Sequence, residues 1–160
     1  MPIFHSLKEI EEEFYKRSED PVNDVAADIY GKFNKNIFKF YDDEVFYNSP
    51  PSEPYEYIRT KQLPKSLVGK PAVRGSGGLN AEVYFDSSKM TYDKNPVGKS
   101  GKVHSADLSS EEVLGLAMSG SHGGYADGTE IWFDTIEEIG DVELSIAKAL
   151  ITAGIPISKG

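Results

Sequence analysis

Apolar residues recur at spacings of three and four along one stretch of the chain: Val22, Val25, Ala26, Ile29, Tyr30, Phe33, Ile37 and Phe40. That period places them on one stripe and predicts an amphipathic helix of about five turns. Asp20 suits the N-cap and Pro21 the first helical position, so the helix is expected to begin there. Gly31 weakens it slightly. Upstream, Leu7, Ile10 and Phe14 form a shorter stripe, with Glu11, Glu12 and Glu13 mostly facing water. Ser6 and Glu9 stand in capping-box register. Residues 1–18 are therefore expected to form a separate helical arm, ended by Ser18-Glu19-Asp20-Pro21.

The run from Asn48 to Pro54 carries three prolines and predicts an extended, rigid connection. Leu79 to Phe85 alternates, with Val83 and Phe85 on one face and Tyr84 on the other, and predicts a strand. Its partner is expected around Lys89 to Tyr92, after a turn at Asp86-Ser87-Ser88. The Gly-rich residues 69–78 and the polar residues 93–108 read as flexible loops. Ser109 and Ser110 predict the cap of a short helix ending at Met118. Ile131, Trp132, Ile136 and Ile139 are expected on one side of a segment that starts at Thr129. A last helix is predicted from Asp141 to Ala153, with Val142, Ile146, Ala149 and Leu150 inward. Gly154 sits where a left-handed C′ residue belongs, and Pro156 follows as a stop. The sum is an α+β chain: a long N-terminal amphipathic helix, a small antiparallel sheet with long flexible loops, and C-terminal helices.

A length of 160 residues fits one domain over 1–160 with a core of its own. There is no cysteine, which excludes a disulfide framework, a thiolate metal site and a cysteine nucleophile. No run approaches the ~20 apolar residues of a membrane span. The opening residues Met1-Pro2-Ile3-Phe4-His5 lack the basic and apolar parts of a signal peptide. The net charge of -9 is unevenly distributed. Residues 1–53 hold 12 acids and 6 bases, residues 54–103 hold 4 and 9, and residues 104–160 hold 10 and 2. An acidic chain thus carries a basic centre: Arg59, Lys61, Lys65, Lys70, Arg74, Lys89, Lys94, Lys99 and Lys102. Alternating sign along the chain suits head-to-tail self-assembly; the plainer reading is a set of solvated surface lysines.

No motif for catalysis emerges. Gly98-Lys99-Ser100 imitates the end of a phosphate-binding loop, but Asp93 stands where the first glycine belongs and would repel phosphate. Gly75, Gly77 and Gly78 begin like a dinucleotide fingerprint, but Asn80 takes the last glycine position. His5, His104 and His122 have no partner at metal-ligand spacing. A small hydrolase using His122 with Asp127 rests on proximity alone. The chain reads as a non-enzyme without metal or cofactor.

The order of parts and one short motif go further. After the amphipathic helix and the Pro-rich bend comes Tyr57-Ile58-Arg59-Thr60-Lys61-Gln62-Leu63-Pro64-Lys65-Ser66. This resembles the Y-x-R-T-x-x-L-x-x-S stretch of head–tail connector or tail-completion proteins, the neck, minor capsid or minor tail proteins of long-tailed double-stranded DNA phages. Lys61 stands where many such proteins have glycine. His122-Gly123-Gly124 with Trp132 further on adds to the likeness. The resemblance implies a non-enzymatic virion protein at the neck, made in the bacterial host cytoplasm, that assembles as a ring, often a hexamer. Its partners would be further copies of itself and the neighbouring connector, portal-side and tail-tube proteins, with passive contact to DNA in the channel and none with membrane. Assembly contacts are then expected at Tyr57, Arg59, Thr60, Lys61, Leu63, Lys65, Lys70, Arg74, Lys94, Lys99 and Lys102. The competing class is an acidic binding or inhibitor protein acting on a basic protein partner, supported by the acids between Asp127 and Glu143.

Overall fold

A computed structural model of the chain describes residues 6–42, 62–90, 109–119 and 130–157. The expectations for the Pro-rich bend, for residues 93–108 and for His122-Gly123-Gly124 lie outside the described residues. The elements are α1 (Leu7–Asp42), α2 (Gln62–Ser66), β1 (Leu67–Gly75), β2 (Gly78–Phe85), a 3-10 turn (Ser87–Lys89), α3 (Ser110–Met118), α4 (Ile131–Ile139) and α5 (Val142–Thr152). The two strands form one antiparallel hairpin, and the fold is α+β and mostly helical.

The predicted break before Pro21 is absent: α1 is one helix of 36 residues with Pro21 inside it. A proline in a helix interior costs about 3 kcal/mol, because it removes an N–H and crowds the carbonyl four residues back. Burial offsets that cost, since Pro21 and Ser18 are both buried. The Ser18 hydroxyl donates to Phe14 O at 2.7 Å and so has its partner within the same helix. At the N-terminus the Ser6 hydroxyl accepts the Glu9 N–H at 3.2 Å, as the capping register predicts.

The residues divide into two compact units. The first takes Met1–Gly31, Gly69–Tyr84 and Ile139–Gly160. Here β1 runs along α1 in the opposite direction, as three contacts show. A Cβ at Gly69 would lie 3.4 Å from the Tyr30 ring, Asn23 Oδ1 accepts the Ala72 N–H at 2.7 Å, and Arg74 reaches Glu11 at 2.7 Å. Residues 69–75 are therefore strand, not loop, and only Ser76 and Gly77 turn. Gly69, Pro71 and Gly75 hide the strand from propensity. Glycine at 69 admits Tyr30, and proline is tolerated in a strand that has an edge. Gly78 takes φ 124°, open to glycine at no steric cost.

Asp141 caps α5, accepting the Leu144 N–H at 2.9 Å. The helix ends in a Schellman motif: Ile155 N–H donates to Leu150 O and Gly154 N–H to Ile151 O, with Gly154 at φ 72° and Ile155 buried. Arg17 Nη2 donates to Gly154 O at 3.3 Å, placing a cation at the negative end of α5.

The second unit takes Lys32–Val68 and Phe85–Glu138, and holds most of the buried apolar side chains: Phe33, Ile37, Phe40, Leu63, Leu67 and Ile131. Phe33 meets Phe85 edge-on at 5.5 Å and Trp132 at 5.7 Å between ring centroids. Of the second strand expected around Lys89 to Tyr92, Lys89 closes a 3-10 turn that Asp86 caps by accepting the Ser88 N–H at 3.1 Å, Met90 is extended, and Thr91 and Tyr92 lie outside the described residues. The partner of β2 is β1. A full capping box starts α3: Ser109 N–H donates to Glu112 Oε2 at 2.7 Å and Glu112 N–H returns to Ser109 Oγ at 3.2 Å.

The residues expected on one side of α4 differ in burial. Ile131 and Thr135 are buried, whereas Trp132 and Ile136 are exposed. On α5 no residue is fully buried, and Val142 is exposed although an inward position was expected.

Candidate functional site

Of the expected assembly residues, Leu63, Lys65, Lys70 and Arg74 lie among the described residues, and they are not equivalent. Leu63 is 3% exposed and packs in the second unit's core. The leucine of the motif is therefore a packing residue in this conformation, not a surface contact. Ser66, the last motif residue, is fully buried; its hydroxyl donates to Leu63 O at 2.7 Å, and its carbonyl accepts the Asp86 N–H at 2.8 Å. The second half of the motif thus closes one turn of helix and hands the chain to β1. Lys65 is exposed.

Lys70 and Arg74 are engaged within the first unit. Lys70 Nζ donates to Glu82 Oε2 at 2.9 Å and lies 4.7 Å from the Tyr84 ring centroid. The hydrogen bond to Glu82, followed by that to Tyr84, holds the Lys70 ammonium above its ordinary value. Arg74 bonds to Glu11 Oε1 at 2.7 Å and stacks 4.3 Å from the Tyr15 ring centroid. These two cations of the basic centre already have acidic and aromatic partners in their own chain. Tyr57, Arg59, Thr60, Lys61, Lys94, Lys99 and Lys102 lie outside the described residues, as do His104, His122 and Asp127.

Among the described residues, no group of three or more His, Asp or Glu is arranged to hold a metal ion. No helix there is long and apolar enough to cross a membrane. An open depression on α1 is lined by Glu9, Glu12, Glu13 and Lys16, all from one helix.

What the described surface does present is unspent apolar area. Leu7, Ile10 and Phe14 are exposed near the start of α1, and Trp132, Phe133 and Ile136 are exposed on α4. Sequence periodicity had grouped Trp132 and Ile136 on one side with Ile131 and Ile139. The signal for the true inward face was the pair Ile131 and Thr135, four apart, but a threonine does not register as a core position in a hydrophobicity count. The acids of α4 differ in the same way. Asp134 meets Lys39 at 3.2 Å and Glu138 meets Lys35 at 3.0 Å. The Lys35 hydrogen bond is the main reason the Glu138 carboxyl is held below its ordinary value, with Asn36 and Lys39 adding to it.

The chain matches no family model, no curated protein and no solved structure.

Proposed function

We propose that the chain is a non-enzymatic structural subunit of a long-tailed double-stranded DNA phage, a tail-completion or head–tail joining protein that assembles as a ring at the neck of the virion. The observation that carries this reading is the stretch from Tyr57 to Ser66, set between a long helix and a hairpin. Exposed Leu7, Ile10 and Phe14 near the start of α1 support a role in assembly, because large exposed apolar patches mark interaction surfaces more often than accident.

The test is the mass of the purified full chain as a function of concentration, by sedimentation or native mass spectrometry. A shift from monomer to a closed ring is the expected result. A strict monomer that tightly binds one basic protein would overturn the reading in favour of an acidic binding or inhibitor protein. One observation favours that second reading: Lys70 and Arg74 are matched by acids of the same chain, which leaves less of the basic centre for an acidic neighbour. Replacing Arg59 and Lys61 by Glu separates assembly from folding. The ring reading expects weakened assembly with thermal stability kept.

A further inference from the structure

The acids of α4, with Glu130 just before it, are only partly matched. On one flank, Asp134 and Glu138 pair with Lys39 and Lys35, two lysines four apart on α1, beside the buried Ile131 and Thr135. The steps of about 100° per residue then carry the helix surface round to Trp132, Ile136 and Phe133. These are 47%, 44% and 62% exposed. Beyond them lie Glu130 and Glu137, seven apart, both exposed and with no ion pair among the described residues. The strip of Trp132, Ile136 and Phe133 is thus edged on one side by two unpaired acids, while its other edge meets the packed side of α4, where the Trp132 ring lies 5.7 Å from that of Phe33. Its exposed apolar area is on the order of 300 Å², the size of patch that tends to be functional, and it centres on a tryptophan.

We propose that this face docks a basic amphipathic helix of a protein partner, with Lys or Arg meeting Glu130 and Glu137 and apolar side chains covering Trp132, Phe133 and Ile136. Charge selects the occupant. Anionic lipid and nucleic acid would be repelled by the two acids, and the same α4 face of a second copy would set acid against acid. A helix fits because α1 already engages this element through lysines at helical spacing, and because seven residues span about 10.5 Å, two turns of a partner helix. The face uses none of the residues from Tyr57 to Ser66 on which the ring reading rests, so its occupant is independent of whether the chain forms a ring.

Trp132 is the chain's one tryptophan and reports directly on the face. The experiment titrates the full chain with two synthetic helical peptides of the same apolar pattern, one with Lys at two border positions seven apart and one with Glu there. The expected result is about tenfold tighter binding of the lysine peptide, with a blue shift and reduced quenching of Trp132 emission. Glu130→Lys with Glu137→Lys should reverse the preference. Glu12→Lys with Glu13→Lys makes the same change in net charge on α1 and should leave the preference intact. Equal affinity for both peptides would overturn the proposal, as would an unmoved Trp132 signal or an equal effect of the α1 pair. Self-association of the free chain that Trp132→Ala disperses would also overturn it, by giving the face to a second copy. Circular dichroism of each variant confirms that the helices are retained.

Discussion

The side-chain amide of Asn36 on α1 donates to Thr135 Oγ1 on α4 at 3.0 Å, and both residues are fully buried. Thr135 passes its own proton to Ile131 O at 2.6 Å. Asn36 Oδ1, by contrast, has no hydrogen-bond partner among the described residues. A polar link thus joins the two helices amid Phe33, Ile37, Phe40 and Ile131, at the cost of one desolvated carbonyl.

Breaking that link from one side should cost more than removing it whole. Thr135→Val leaves the Asn36 amide without an acceptor at this position, and is expected to destabilise by about 1–3 kcal/mol. Asn36→Leu with Thr135→Val removes every polar atom of the link and should lose less than Thr135→Val alone. Urea denaturation midpoints of the two variants and the parent check the order.

Pro21 offers a test of helix continuity. In a continuous α1, Pro21→Ala restores a backbone donor and relieves crowding, and should raise the melting temperature even though some packing is lost. Were Pro21 the first residue of a second helix, the substitution would be neutral or harmful and Asp20→Ala would cost about 1 kcal/mol as a lost cap. Thermal unfolding of the two variants tells these cases apart.

Gly154 ends α5 with φ 72° and has room for a methyl group, since a Cβ there would meet only Arg17 Nη2 at 3.8 Å. The cost of Gly154→Ala is therefore one of backbone conformation, about 1–2 kcal/mol. Gly31, at an ordinary helical position with nothing near its Cβ place, should respond in the opposite sense: Gly31→Ala is expected to stabilise by about 0.5–1 kcal/mol. Paired melts of the two variants measure both.

The ion pairs set opposite pH limbs. Because Lys35 lowers the Glu138 carboxyl on folding, the pair's contribution is complete above the unfolded value near ~4.3 and is lost as pH falls through the lower folded value. Lys35→Met should flatten this acid limb, and high salt should mimic it, since the pair is partly exposed. Lys70 has the reverse sign. Its raised folded value gives a contribution that is complete below the unfolded lysine value and lost as pH rises through the folded one. Stability against pH for the parent, Lys35→Met and Lys70→Met checks both signs.

Several elements were legible because their determinants are local. The stripe from Val22 to Phe40, the box at Ser109 and Glu112, and the end of α5 at Gly154 each depend on residues within a turn or two of one another, so spacing alone locates them. Residues 69–75 were not legible, because Gly69 and Pro71 have poor strand propensity and become strand only where Tyr30, Asn23 and Glu11 line the neighbouring helix. The candidate site was legible only as a list of cations. That Lys70 and Arg74 are already partnered, that Leu63 is core, and that Trp132 packs on Phe33 while staying half exposed depends on contacts between residues far apart in the chain.

By itself the sequence determined the α+β class, the amphipathic period of α1, the caps of the short helices and the uneven distribution of charge. All of these follow from neighbours on one element. Tertiary structure alone decided that α1 runs through Pro21, that β1 pairs with β2, and that α4 buries Ile131 and Thr135 while exposing its aromatics. The reason is energetic: a proline inside a helix, a strand that carries glycine and proline, or a buried threonine each has a local penalty of about one to a few kcal/mol, and only packing between distant residues is large enough to reverse it.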